Sequence, residues 1–181
     1  SQAKNIFITH QVHLIMPWMF TWLSPLIDYI HYRRIQKFSR CWIPDVSEGT
    51  TLSGKLSRLT SIFGKIPRQH IGLLSRFSPA TDTDTEVTWD VAAILSGPEP
   101  QRSLLEEMLV EQLKKLPVKS VVVRGVPGKS EIKKNDVISM IDFLPGKELQ
   151  TLMQQSRYVI ARSGYSTLMD MAVLGCKPIL I

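Results

Sequence analysis

One stretch constrains this chain more than any other. Residues 158–181 read YVIARSGYSTLMDMAVLGCKPILI. Tyr158–Ala161 is a short apolar run of the kind that forms a strand buried on both faces of a parallel sheet. Arg162, Ser163 and Gly164 break it. A helix is expected from Tyr165 to Leu174, with Gly175 placed as a C-terminal cap, and Lys177–Ile181 begins another strand. In open α/β sheets, ligands bind at the turn after a strand's carboxyl end, where the next helix presents its first amides. Ser163 and Gly164 sit in that turn, and Arg162 beside them is a cation able to offset phosphate. Asp170 lies two helical turns beyond Ser163 and can share a face with it. A carboxylate so placed accepts hydrogen bonds from a vicinal diol such as that of a ribose.

The preceding residues keep the same rhythm. Strands are expected at Trp89–Leu95, Ser120–Arg124 and Val137–Ile141, and helices at Pro100–Leu116 and Lys147–Gln155. Strands alternating with helices predict βαβ units on a parallel sheet. Ser96 and Gly97 leave the first of these strands in a second strand–turn–helix, where Pro100 suits a first helical position and a phosphate could rest on the amides that follow. Pro98 and Pro100 remove two of those amides, and Glu99 adds a negative charge. Upstream, residues 79–86 form a polar stretch with a proline and no hydrophobic periodicity, which predicts a linker between a domain over 1–78 and another over 87–181. In the first domain, strands are expected at Ile6–Ile8, Arg40–Pro44 and His70–Leu73, with a loop over Asp45–Ser61.

Composition narrows the function classes. Apolar residues make up 44% of the 181 and charged residues 21%, ample for packed cores and far from a disordered chain. The net charge is +6, yet the basic residues are dispersed and no aromatics interleave with them as stacking platforms, so no nucleic-acid partner is expected. The densest basic cluster, Arg33, Arg34 and Lys37, follows the apolar segment containing Trp18, Met19, Phe20 and Trp22. Pro17, Pro25 and the basic end rule out a spanning helix of about 20 clean apolar residues. A loop and an amphipathic helix, with Leu26, Ile27, Ile30 and Ile35 at helical spacing, fit better. The pattern predicts peripheral contact with an anionic membrane surface, the alternative being core packed under a long loop. Cys41 and Cys176 have no metal-like spacing, Asp82 and Asp84 fall in the linker, and no metal site or cofactor is expected. The chain has no initiating Met and stops inside an apolar strand, so it is expected to be a piece of a longer protein.

The motif S-G-x-x-T-x-x-D at Ser163, Gly164, Thr167 and Asp170, followed by A-x-x-G-x-P at residues 172–178, resembles the donor-binding motif of GT-B glycosyltransferases. The similarity is greatest to glycosyltransferase family 28, the group of the bacterial UDP-N-acetylglucosamine transferase that completes the lipid-linked peptidoglycan precursor. Asp170 stands where that family has Glu. The resemblance covers nearly the whole chain and implies a GT-B fold: the end of an acceptor-side Rossmann-like domain over 1–78 and a donor domain over 87–181. It implies transfer of a hexose such as N-acetylglucosamine from a UDP-sugar to an acceptor hydroxyl, without metal, on a lipid-linked acceptor at the cytoplasmic face of the membrane in cell-envelope synthesis.

Further residues follow from the same resemblance. Arg76, in Gly72-Leu73-Leu74-Ser75-Arg76, matches an arginine that points into the interdomain cleft, and its planar fork suits a diphosphate. Ser96 and Gly97 occupy the family's glycine-rich diphosphate turn. Leu144 matches the residue whose backbone reads the uracil edge. His10 and His13 stand at the acceptor-side motif, where an imidazole can hydrogen-bond an acceptor hydroxyl or act as a base. The family's own base lies in an upstream loop absent from these residues, so the chain alone is expected to be inactive in transfer. Two other classes fit the same residues: a non-catalytic nucleotide-sugar-binding partner subunit, and a nucleotide-sugar epimerase, which would require paired acids near the sugar.

Overall fold

The computed structural model describes residues 4–49, 51–57, 68–79, 86–126, 132–134 and 138–181. The chain divides into two compact units, Ser1–Leu74 and Ser75–Ile181. The division falls four residues ahead of the expected boundary at 78, because Ser75 hydrogen-bonds Asp170 and Phe77 is buried in the second unit's core. The expected linker lies mostly outside the described residues.

In the first unit, β1 (Ile6–Ile8), β2 (Arg40–Ile43) and β3 (Arg68–His70) pair in parallel in the order β1-β2-β3. A 3-10 turn over Trp18–Leu23 leads into α1 (Ser24–Ile35), which crosses from β1 to β2. Val12, Tyr32, Ile35, Cys41 and Ile43 form the core, with Phe7 packed against it. The strand expected at His70–Leu73 begins earlier and stops at His70. Ile71 still donates to the Ile43 carbonyl, but Gly72 at φ 76° turns the chain out of the sheet. The segment after β2 is more ordered than a plain loop. Asp45, fully buried, accepts from the amides of Val46, Leu52 and Ser53 and from the Ser53 hydroxyl. Burial pushes the Asp45 carboxyl up, and the Ser53 hydroxyl and these amides outweigh it, holding the group below the ordinary aspartate range. Gly54–Ser57 adds a 3-10 turn, and residues 50 and 58–61 of the expected loop lie outside the described residues.

The second unit contains β4 (Trp89–Ile94), α2 (Gln101–Leu113), β5 (Ser120–Val123), β6 (Ile132–Lys134), β7 (Ile138–Ile141), α3 (Gly146–Gln154), β8 (Ser156–Ala161), α4 (Tyr165–Leu174) and β9 (Pro178–Leu180). Its sheet runs β6-β7-β5-β4-β8-β9, parallel except for the β6–β7 pair. The central strands are mostly apolar, with polar residues such as Asp90, Ser120 and Arg157 near their amino ends, because both faces are covered, and alternate residues divide between two cores. Ala92, Val121, Val123 and Val159 pack with Leu149, Leu152 and Met171 of α3 and α4. Val91, Ala93 and Val122 pack with Leu113, Leu105 and Leu109 of α2. Helix α2 is shorter than expected, starting after Pro100 and ending before Pro117, whose ring disfavours helix at the preceding residue. Helix α4 has the expected bounds. Gly175 at φ 66°, with Cys176 N–H donating to the Met171 carbonyl and Gly175 N–H to that of Ala172, closes it as a Schellman motif. Strand β6 was not expected. Nothing in its three residues signals a strand, and only pairing with β7 defines it.

Candidate functional site

The strand order fixes where a ligand can enter. From β4 the chain moves outward through β5 to β7, then returns to lay β8 on the other side of β4 and β9 beyond it. The carboxyl ends of β4 and β8 therefore flank a topological switch point, the place where open α/β sheets leave a crevice. The turn at residues 95–100 follows β4, and Arg162–Gly164 follows β8. A cavity of about 220 Å³ opens within this unit. Ile94, Val123, Leu149, Met153 and Met171 make it largely apolar, and Arg76, Ser96, Thr167 and Asp170 supply its polar groups. Leu144 and Phe143, beyond β7, line it as well.

Asp170 is the most constrained of these groups. Helix α4 holds it at 9% exposure. The Ser75 hydroxyl donates to Oδ1 at 2.6 Å, and Arg76 Nε stands 3.3 Å from Oδ2. Ser75 in turn accepts the Phe77 amide at 3.0 Å, and the Arg76 guanidinium lies 4.8 Å from the centre of the Phe77 ring. Arg76, expected to address an interdomain cleft, is thus directed at a carboxylate of its own unit. Its side chain is 62% exposed, so the pair is well screened.

The turn after β4 has a different character from a phosphate loop. Gly97 adopts φ 116°, and Arg162 Nη1 donates to the Ser96 carbonyl at 3.3 Å while crowding the Gly97 Cα. Arg102 N–H is taken by the Pro98 carbonyl and Ser103 N–H by the Glu99 carboxylate. The second and third amides of α2 are therefore taken by the chain itself. Glu99 is also drawn back onto Arg102 and the Ser103 hydroxyl. The Ser103 hydroxyl and then Arg102 hold its carboxyl below the usual range.

After β8, Ser163 N–H donates to the Ile181 carbonyl and Gly164 N–H to that of Arg162. Ser163 and Gly164 are exposed and do not line the cavity. Gly164 is the N-cap of α4, with no side-chain capping bond, so the positive end of the helix dipole is left to solvent or ligand. Thr167, one turn on, faces the cavity.

His10 and His13 belong to the first unit. His13 Nδ1 pairs with Asp28 Oδ2 at 2.8 Å, and Asp28, itself buried, also accepts the Leu14 amide. This arrangement fixes the loop after β1 and occupies one nitrogen of the imidazole. Burial lowers the pKa of His10 below the ordinary value, against an opposing pull from Asp45, which leaves the ring neutral near pH 7.

Several residues that shape the site carried no signal recognised in the sequence. Ser75 is one and Gly125 another. A Cβ at Gly125, which has φ 70°, would come within 2.6 Å of the Leu95 carbonyl oxygen. Arg102, Glu106, Arg124 and Asp142 form a third feature, an alternating charge network across α2 and the ends of β5 and β7. The Arg102–Glu106 pair stands at helical i, i+4 spacing and is legible in retrospect. Among the described residues, no three His, Cys, Asp or Glu side chains cluster as metal ligands. Compared with known proteins, the chain matches no family model and no curated protein.

Proposed function

We propose that the second unit binds the donor of a glycosyl transfer, a UDP-sugar, and that the protein is a GT-B glycosyltransferase moving a hexose to an acceptor hydroxyl. The observation that carries the reading is convergence. Arg76, Ser96, Leu144, Thr167 and Asp170, drawn from separate stretches of sequence, line one cavity at the switch point of the sheet. The cavity is smaller than the roughly 300–1,000 Å³ of a whole-ligand site, and suits the nucleoside part of the donor. The diphosphate and sugar then extend over the exposed turns at Ser96–Gly97 and Arg162–Gly164, where Arg76 and Arg162 provide charge. Such a site acts by positioning the donor and stabilising the departing diphosphate.

Calorimetry tests this directly. UDP is expected to bind more tightly than uridine, and Asp170→Ala to lower UDP affinity by about 1.5–3 kcal/mol, the scale of a hydrogen bond to a charged group. Circular dichroism of the variant checks that loss of the Ser75 and Arg76 contacts has not unfolded α4. Absence of UDP binding would remove the donor reading, and an unchanged affinity in Asp170→Ala would remove Asp170 from the site.

The first unit is proposed to dock on anionic lipid. Trp18 and Trp22 are 84% and 74% exposed, and Met19 and Phe20 are also open to solvent, so the described residues of this unit do not bury the segment, which favours the membrane reading. Arg33, Arg34 and Lys37 follow at the end of α1, all exposed. No helix among the described residues is long and apolar enough to cross a membrane. Each basic residue near an anionic surface contributes on the order of 1 kcal/mol. The protein should co-sediment with phosphatidylserine vesicles and dissociate as salt rises. Replacing Arg33, Arg34 and Lys37 together by Gln should weaken that attachment and leave UDP binding unchanged. Indifference of the wild type to such vesicles at low salt would refute it.

A further inference from the structure

We infer that Ser75 is a positioning residue that aims the Asp170 carboxylate at the ribose diol of the donor; this rests on the donor reading above. A serine hydroxyl has one proton to give. The Phe77 amide donates to Ser75 Oγ at 3.0 Å, which directs that proton away from the backbone and onto Asp170 Oδ1 at 2.6 Å. Phe77 is buried in the core, so the chain of contacts from core to carboxylate is anchored at its far end. A short hydrogen bond to an ionised acceptor is among the stronger neutral–charged contacts.

The two partners of Asp170 are not equivalent. Arg76 meets Oδ2 at the longer distance of 3.3 Å from a mostly exposed side chain, and a contact of that kind exchanges readily with solvent or ligand. A carboxylate offers about four lone-pair sites. Ser75 holds one of them, which leaves the others for two vicinal hydroxyls once Arg76 swings toward phosphate. The hydroxyl of Ser75 therefore sets the rotamer in which Asp170 meets the sugar, while Arg76 is the movable partner. Because Ser75 immediately precedes Arg76, one short segment supplies both the fixed and the exchangeable contact.

The test compares UDP with 2′,3′-dideoxyuridine diphosphate on wild type, Ser75→Ala and Ser75→Thr by calorimetry, with thermal melting of each variant. The wild type should prefer UDP. Ser75→Ala should lower UDP affinity about five- to tenfold and leave the dideoxy nucleotide almost unchanged, so that the preference shrinks. Ser75→Thr, which keeps the hydroxyl, should restore it. Equal loss for both nucleotides, or no loss for either, would overturn the role of Ser75 while leaving the donor site standing. A wild type that binds UDP without preferring it to the dideoxy nucleotide would also overturn it, and one that binds neither nucleotide would overturn the donor reading and this inference together.

Discussion

Glu106→Ala is expected to destabilise the second unit by about 3 kcal/mol, the lower end of the range for breaking a buried ion pair. Glu106 accepts from Arg102 Nη1 through Oε2 and from Arg124 Nε through Oε1, each at 2.8 Å. Its side chain is 15% exposed and that of Arg102 10%. Removing the carboxylate leaves the buried Arg102 guanidinium with only Glu99, which is 56% exposed, as an ionic partner. Arg124 fares better, since Asp142 remains bonded to its Nη1 and its side chain is a third exposed. The cost therefore falls mainly on Arg102. Glu106→Gln keeps the packing and one acceptor, and should cost roughly half as much. Urea unfolding of the three proteins measures the difference. A loss below about 1 kcal/mol for the alanine variant would mean that water screens the network as it does a surface pair.

Gly125→Ala should rank close behind, at roughly 2–4 kcal/mol, and should impair UDP binding as well. The position is left-handed, at φ 70°, and the new methyl would approach the Leu95 carbonyl oxygen to 2.6 Å. Neither atom can move alone, because Leu95 N–H is bonded to the Val123 carbonyl and Leu95 itself is buried. Relief requires shifting the backbone that leads into Ser96, at the mouth of the cavity. Gly97→Ala provides the contrast. There the nearest obstacle is Arg162 Nη1, the far end of a flexible side chain that can swing aside. Its cost should come from the φ of 116°, about 1–2 kcal/mol, and from loss of the Arg162 bond to the Ser96 carbonyl. Equal costs for the two variants would show that Arg162 is held as rigidly as backbone.

Local chemistry decided the parts of this protein that could be read in advance. The bounds of α4 follow from an apolar strand, a Ser-Gly break and a glycine able to take the left-handed conformation, all within residues 158–175, and Gly175 does so. The βαβ rhythm of residues 89–181 likewise rests on patterns internal to each segment, and the parallel sheet follows from it. Where a boundary depended on a distant partner, the reading shifted. Strand β3 stops at His70 because Gly72 leaves the sheet, and β6 exists only through pairing with β7.

The candidate site divides the same way. Asp170 and Ser96 were legible because each lies in a turn or on a helix face whose geometry is set within a few residues, whereas Arg76 and Thr167 were singled out by the resemblance. Their relations were not legible. Asp170 is joined to Ser75 across a sequence separation of 95 residues, and Arg162 to Ser96 across 66. Such contacts are created by the strand order, which sets β8 beside β4 after the chain has passed through β5 and β7. The sequence by itself therefore determined which side chains stand at the ends of which strands. Only the tertiary structure decided that Arg76 would turn to Asp170 and that a serine would hold the carboxylate, because hydrogen bonds between remote segments form only after the sheet has brought them within reach.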